Sequence, residues 1–175
     1  MLSHKAKYGL KAVLSLAGDP QLQPAVVAEL ARREAIPRKF LEQILLELKH
    51  RGVLQSRRGR GGGYQLTRPA DRLSIGEIIR ALDGPIAPTS CVSQTAYVKC
   101  DECGDEETCG VRIVMKEVHA ATTRILDSTT VADVIRSVEA VKAVRVAAPG
   151  SIPRHGGALR RAERAVPFPQ TRRKA

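Results

Sequence analysis

The most restrictive stretch of this sequence is a pair of amphipathic segments only two or three residues apart, followed at once by a tip rich in glycine and arginine. The first runs from about Ala25 to Glu34, with Val26, Val27, Leu30 and Ala31 on one face. The second begins near Pro37, whose ring suits a first helical turn, and turns Phe40, Leu41, Ile44, Leu45 and Leu48 inward before Gly52 stops it. So short a connection forces the two helices to pack directly against each other, the helix-turn-helix arrangement. The following VLQSRRGRGGGYQLT holds two short β-prone pieces, around Val53 to Gln55 and Tyr64 to Thr67, joined by glycines and arginines. That pattern reads as a β-wing.

Helical periodicity accounts for most of the rest. Ser3 to Ala17 carries Leu10, Val13, Leu14 and Leu16 with Ala6, Ala12 and Ala17, and reads as a first helix closed at Gly18 to Pro20. SIGEIIRALDG offers Ser74 as N-cap with Glu77 three residues later, a capping box, and ends at Gly84 and Pro85. Farther on, Val111, Val114, Met115, Val118, Ala121, Thr122, Ile125 and Leu126 recur at three- and four-residue steps. Too little chain remains to cover this long amphipathic helix, which points to a second subunit as its cover. A short helix is expected from Val131 to Val138. The expected class is mainly α with a small β-wing. Residues 1–84 form a winged helix-turn-helix domain, 85–110 a cysteine-rich loop, 111–138 a dimerisation helix with the short helix after it, and 139–175 a basic tail, disordered beyond about Ala148.

Charge follows the same divisions. Residues 1–82 carry 15 Lys and Arg against 7 Asp and Glu, residues 83–135 carry 4 against 9, and residues 136–175 carry 10 against 2. A basic front half implies a polyanionic partner. An acidic middle would not be pressed against phosphates. No apolar run approaches the roughly 20 residues that span a bilayer, and MLSHKAKYGL lacks the apolar stretch of a signal peptide, so no membrane partner and a cytoplasmic setting are expected. Aromatic residues make up only 3% and Trp is absent, so burial rests on Leu, Ile, Val and Ala.

In a helix-turn-helix the second helix enters the major groove by its N-terminal residues, which aims Arg38, Lys39, Glu42 and Gln43 at bases and phosphates of double-stranded DNA. Arg can bridge guanine edges, Gln can pair with adenine, and Glu accepts from cytosine N4. Arg57, Arg58 and Arg60 flank the wing glycines, and an Arg at a wing tip fits a narrow minor groove. Read alone, those polar residues are also a solvated face, and the RRGRGGG string is also a flexible RNA-binding or solubilising patch. The flanking elements favour the wing.

The only four cysteines, Cys91, Cys100, Cys103 and Cys109, fall within nineteen residues. In a reducing compartment such clustering suits metal ligation or redox switching better than structural disulfides. Four thiolates satisfy an iron-sulfur cluster, two-iron or four-iron, or a tetrahedral zinc, although a typical zinc module pairs two CxxC knuckles and this chain has one. A redox pair of Cys100 and Cys103 without metal is the third reading. Asp101, Glu102, Asp105, Glu106 and Glu107 crowd the loop and should raise thiol pKa values, which disfavours a lone reactive thiolate and favours metal.

The run FLEQILLELKHRGVLQSRRGRGGGYQLTRPADRLSIGEIIRALDG resembles the IscR and NsrR type of winged-helix transcription regulators, the Rrf2 family, over about residues 1 to 138. The resemblance rests on LEQIL in the recognition helix, GGGYQL closing the wing, the SIGEIIRALDG helix and the cysteines after it. It implies a homodimer paired through the long helix, base recognition by Glu42 and Gln43, minor-groove entry by Arg58, and phosphate contacts from Lys5 and Tyr8. Cluster-binding members place three cysteines here with a fourth, variable ligand. Matching the long helix at Thr130 and Val131 sets Cys109 on the last of them and Cys91 on the first. Between them the loop is several residues longer and offers Cys100 and Cys103 in place of one cysteine. Arg112 stands where some relatives carry a ligand His, and His119 reads as an ordinary helix residue.

The expectation is therefore a homodimeric DNA-binding transcription regulator that senses iron-sulfur status, redox state or nitric oxide through a cysteine-held cluster. The alternatives are a zinc-stabilised adaptor with weak, non-specific nucleic-acid binding, or a cluster-free thiol-redox regulator. No Ser/His/Asp set, phosphate loop or HExxH is present, and His4, His50, His119 and His155 are scattered in sequence, so an enzyme is not expected.

Overall fold

The computed structural model describes residues 2–19, 23–59 and 61–147. Six helices and a two-stranded sheet follow in the order α1 (His4–Gly18), α2 (Val27–Glu34), α3 (Arg38–His50), β1 (Leu54–Arg57), β2 (Gly63–Leu66), α4 (Ile75–Asp83), α5 (Gly110–Ser128) and α6 (Val131–Ala147). Ser3 caps α1 by accepting from the Ala6 N–H at 3.0 Å, and its own N–H donates to Asp83 at 2.9 Å, which joins the start of α1 to the end of α4.

One core holds α1, α3 and α4 together. Val13 and Leu16 of α1, Leu41, Ile44, Leu45 and Leu48 of α3, and Ile78 and Leu82 of α4 are almost wholly buried. Each such aliphatic side chain contributes about 1.5–3 kcal/mol when withdrawn from water. Burial rests on Leu, Ile, Val and Ala, as the composition requires. The inward stripe expected on α3 is intact, with Phe40 partly buried against it.

Helix α3 ends in a Schellman motif. The Gly52 N–H donates to Lys49 O at 3.0 Å and the Val53 N–H to Leu48 O at 2.9 Å, while Leu48 and Val53 bury together. The chain then enters β1, which pairs antiparallel with β2 in the register Leu54↔Leu66 to Arg57↔Gly63. Gly59 and Gly61 turn the tip at φ of 100° and 79°, values that side chains resist.

Three expectations need correction. The second helix begins at Val27, because Ala25 pairs as an isolated β-bridge with Tyr64, each N–H donating to the other's carbonyl at 2.9 Å. A residue that exchanges both backbone bonds with the wing is held extended and cannot start a helix. The capping box is half made: Ser74 accepts from the Glu77 N–H at 3.2 Å, but the Glu77 carboxylate pairs with Arg68. The last helix runs to Ala147, well past Val138. Its valines Val138, Val141 and Val144 are exposed, so they give no one-sided pattern against this chain by which the extension could be read. Arg60 and the basic tail beyond Ala147 lie outside the described residues.

The α5–α6 junction docks onto the start of α4. Ile75 N–H donates to Thr129 O and Val131 N–H to Leu73 O, each at 2.9 Å, around a Ser74↔Thr130 bridge. Arg80 of α4 reaches Asp127 of α5 through two bonds of 2.7 Å. Most of the predicted stripe on α5 stays uncovered: Val111, Val114, Val118 and Ile125 are exposed, and only His119 is buried on that helix.

Candidate nucleic-acid interface and cysteine centre

The helix-turn-helix geometry puts the N-terminal turns of α3 on the surface. Arg38, Lys39 and Gln43 are exposed, and Arg38 Nε donates to Glu42 at 2.9 Å across one helical turn. This exposed ion pair adds little stability, so its groups can exchange partners at low cost. Arg57 and Arg58 project from the wing, both exposed. Lys5 is turned inward on α1 to Glu47 of α3 at 3.2 Å, and Tyr8 packs edge-on against Phe40 at 5.8 Å between ring centres. The α3 and wing residues therefore share the open surface, whereas Lys5 and Tyr8 also brace α1 against α3.

The cysteine loop runs from α4 to α5 with one single-turn 3-10 helix at Ser90–Val92. Cys91 is buried in that turn, Cys100 is exposed, Cys103 is half-buried, and Cys109 is the N-cap residue of α5. The Cys103 N–H donates to Cys100 O at 3.1 Å, a tight turn that sets the CxxC pair. The thiols fall into two neighbouring pairs, Cys91 beside Cys100 and Cys103 beside Cys109, each thiol of a pair acting on the other's ionisation. Cys100 also lies within electrostatic reach of Cys103 and Cys109. Among the described residues no three His, Cys, Asp or Glu side chains stand close enough as placed to hold a single metal ion. Two thiol pairs are nonetheless the donor set that two adjoining irons require, two sulfurs to each.

Charge within the centre is uneven. The Thr89 hydroxyl, 3.4 Å from its sulfur, is the largest influence lowering the Cys91 pKa below the ordinary thiol range, with Cys100 and the Arg112 charge acting the same way. The neighbouring Cys91 thiol is what chiefly pushes the Cys100 thiol up, and desolvation does the same for Cys103, followed by Cys109 and Glu106. The expectation that acidic neighbours raise the thiols is met only at Cys103, where Glu106 adds to the rise; at Cys100 other thiols and desolvation raise it, and Cys91, beside the Thr89 hydroxyl, is lowered instead.

Sequence reasoning missed the part Arg112 plays. Its Nε donates to Cys91 O at 3.3 Å and its terminal nitrogen pairs with Glu106 at 3.5 Å, while the Tyr97 hydroxyl donates to Glu106. This chain of contacts ties the first cysteine turn to the last stretch of the loop. The only sequence signal was a lone cation three residues after Cys109 in an acidic segment. His119 hydrogen-bonds with Thr123 on its own helix at 3.4 Å, as an ordinary helix residue would.

The family model described as "Iron-dependent Transcriptional regulator" matches residues 2–137. The chain belongs to the Rrf2 family. An rrf2-like HTH-type transcriptional regulator of Rhodobacter capsulatus is 44% identical over 138 residues, 77% of this chain and 92% of its own length. The HTH-type transcriptional regulator IscR of Erwinia tasmaniensis is 28% identical, covering 79% of this chain and 80% of its own. Among solved structures, CymR, the global cysteine regulator of B. subtilis, superposes with a TM-score of 0.65 at 30% identity, covering 78% of this chain and 97% of its own. T. potens IscR gives 0.63 at 28%, covering 81% and 90%. The Rrf2 chain is thus a DNA-binding winged-helix transcription regulator, and the relatives are named as regulators, not enzymes. Among the described residues no helix is long and apolar enough to cross a membrane.

Proposed function

We propose that this Rrf2 protein is a homodimeric regulator whose cysteine loop holds an iron-sulfur cluster and reports iron-sulfur, redox or nitric oxide status to the DNA-reading heads. The observation that carries the reading is the gathering of four thiols into two pairs on a loop strung between α4, which packs into the head, and α5, whose apolar side lies bare. Cys91, Cys100, Cys103 and Cys109 are the ligands in this reading, and the bound cluster supplies a centre that oxidants and nitric oxide can alter. The chain's own part is mechanical. Arg112 and Glu106 hold the two ends of the loop, Cys109 sets the first turn of α5, and Arg80 with Asp127 passes any shift of α5 to α4. A change in cysteine ligation then biases the dimer between two spacings of its heads, as far as the two spacings differ in affinity for the cluster.

At the DNA, Arg38, Lys39, Glu42 and Gln43 read the major groove, Arg57, Arg58 and Arg60 engage the minor groove and its phosphates, and Lys5 and Tyr8 touch the backbone. Protein purified without oxygen should be brown or red, absorb between about 320 and 460 nm, and contain iron and sulfide. A colourless preparation with stoichiometric zinc would sink the cluster reading. Metal-free protein that gains and loses DNA affinity with thiol oxidation would establish the redox switch. Glu42→Ala and Arg58→Ala should each reduce preference for the operator sequence over random DNA, and a purely salt-governed, sequence-indifferent affinity in the unsubstituted protein rejects specific recognition.

A further inference from the structure

Four of the aliphatic side chains of α3, Leu41, Ile44, Leu45 and Leu48, are buried in the core, but a fifth is not. Leu46 is 45% exposed and is absent from the side chains packed against that core. At 3.6 residues per turn it stands on the side of α3 opposite the buried stripe, three residues after Gln43, four after Glu42 and seven after Lys39. Its neighbours on that side are all polar or charged: Arg38, Lys39, Glu42, Gln43, Lys49 and His50. Among the described residues of the head the other exposed large apolar side chains are Leu2 and Val26, neither of them on α3. A lone leucine on a solvated face needs no cause. Here the surrounding cations mark the face for a polyanion, so Leu46 meets whatever α3 reads.

Leucine has no donor or acceptor, and it discriminates between bases only by fit and by what it desolvates. In the major groove guanine presents two acceptors, adenine an acceptor and a donor, and cytosine a donor. Each of these loses water without gaining a bond beneath an aliphatic side chain. Thymine alone presents a methyl group there. We propose, on the reading of α3 as the helix that enters the major groove, that Leu46 is a specificity-determining residue that packs on a thymine methyl group beside the bases read by Glu42 and Gln43. Glu42 and Gln43 select by hydrogen bonds and Leu46 by apolar contact. The operator then contains a thymine recognised through its methyl group and not through its hydrogen-bonding edge.

The test lets full-length protein select its preferred duplex from a random-sequence library and then replaces each thymine of that duplex in turn with deoxyuridine, which lacks only the methyl group. Titrations at one fixed salt concentration should show at least one thymine whose replacement weakens binding about fourfold, the worth of one CH₂ group withdrawn from water. Leu46→Ala exchanges an exposed side chain for a good helix former, so it should keep the melting temperature and remove that penalty. Leu46→Met, which keeps an apolar contact, should retain the penalty. At the same place 5-methylcytosine should bind more tightly than cytosine in the unsubstituted protein and not in Leu46→Ala. A scan with no methyl-sensitive thymine, or a methyl penalty that Leu46→Ala leaves unchanged, overturns the proposal. Glu42→Ala, scanned the same way, separates the leucine from the reading beneath it. Base preference altered by Glu42→Ala with no methyl effect from Leu46 rejects the leucine contact alone. Preferences that neither substitution alters, or a library that yields no preferred duplex, reject α3 as the reading helix as well.

Discussion

The Arg80–Asp127 pair couples the DNA-reading head to the long helix, and its strength can be measured by a double-mutant cycle of Arg80→Ala, Asp127→Ala and the double variant. Two bonds of 2.7 Å make it bidentate, a geometry at the strong end for ion pairs. The side chains are still 35% and 41% exposed, so solvent screens them and the buried-pair figure does not apply. Discounting from about 1.5–3 kcal/mol for a charged hydrogen bond toward the 0.2–1 kcal/mol of exposed pairs gives a coupling near 1 kcal/mol. Urea unfolding at one fixed protein concentration should report it, and raising salt from about 0.1 to 1 M should reduce it, since the Debye length shrinks from about 10 to 3 Å. The same pair fixes a pH signature. The hydrogen bond from Arg80 holds the Asp127 carboxyl below its ordinary pKa, so its contribution is complete above the unfolded value near 3.9 and is lost as pH falls through the lower folded value. The stability gap between parent and Asp127→Asn should therefore close in acid. A coupling below about 0.3 kcal/mol, or a gap that widens as pH falls, refutes the reasoning.

A Cβ on Gly9 would lie 2.2 Å from Leu82 Cδ1, so Gly9→Ala should cost about 1–2 kcal/mol by overpacking despite the helix-propensity gain, seen as a lowered melting temperature. Ala35 ends α2 in the left-handed region at φ 53°, so Ala35→Gly should stabilise by up to about 1 kcal/mol, with a higher urea midpoint and an unchanged m-value. Gly63→Ala would set a Cβ 2.3 Å from Ala25 O, so the variant should lose the bridge to the wing and bind DNA more weakly, with faster amide exchange at Tyr64 as the direct readout.

The head was legible because its signals are local. The α3 stripe, the stop at Gly52 and the cap at Ser74 are each written within a few residues and reappear in place. What sequence could not supply were contacts between distant segments. Nothing at Ala25 announces that its backbone pairs with Tyr64, nor at Arg80 that Asp127 lies across from it. At the cysteines the residue type and clustering were readable, whereas the pairing of Cys91 with Cys100 and of Cys103 with Cys109 depends on loop closure. Arg112 was missed for the same reason, since its partners lie on the loop and not on its own helix. α6 ran past its expected end because its later valines face outward and leave no stripe to count.

The bridge between Ala25 and Tyr64 makes the wing a third rail of the turn after α1 and not a free hairpin. With Gly63 set too close to Ala25 for a side chain, the wing and the recognition helix are bolted to one frame, like the fixed jaws of a gauge. Each head then measures groove spacing with a constant aperture. In the proposed homodimer a signal is then expressed in how far apart two such gauges stand, and the half-site separation of the operator becomes the quantity on which regulation acts.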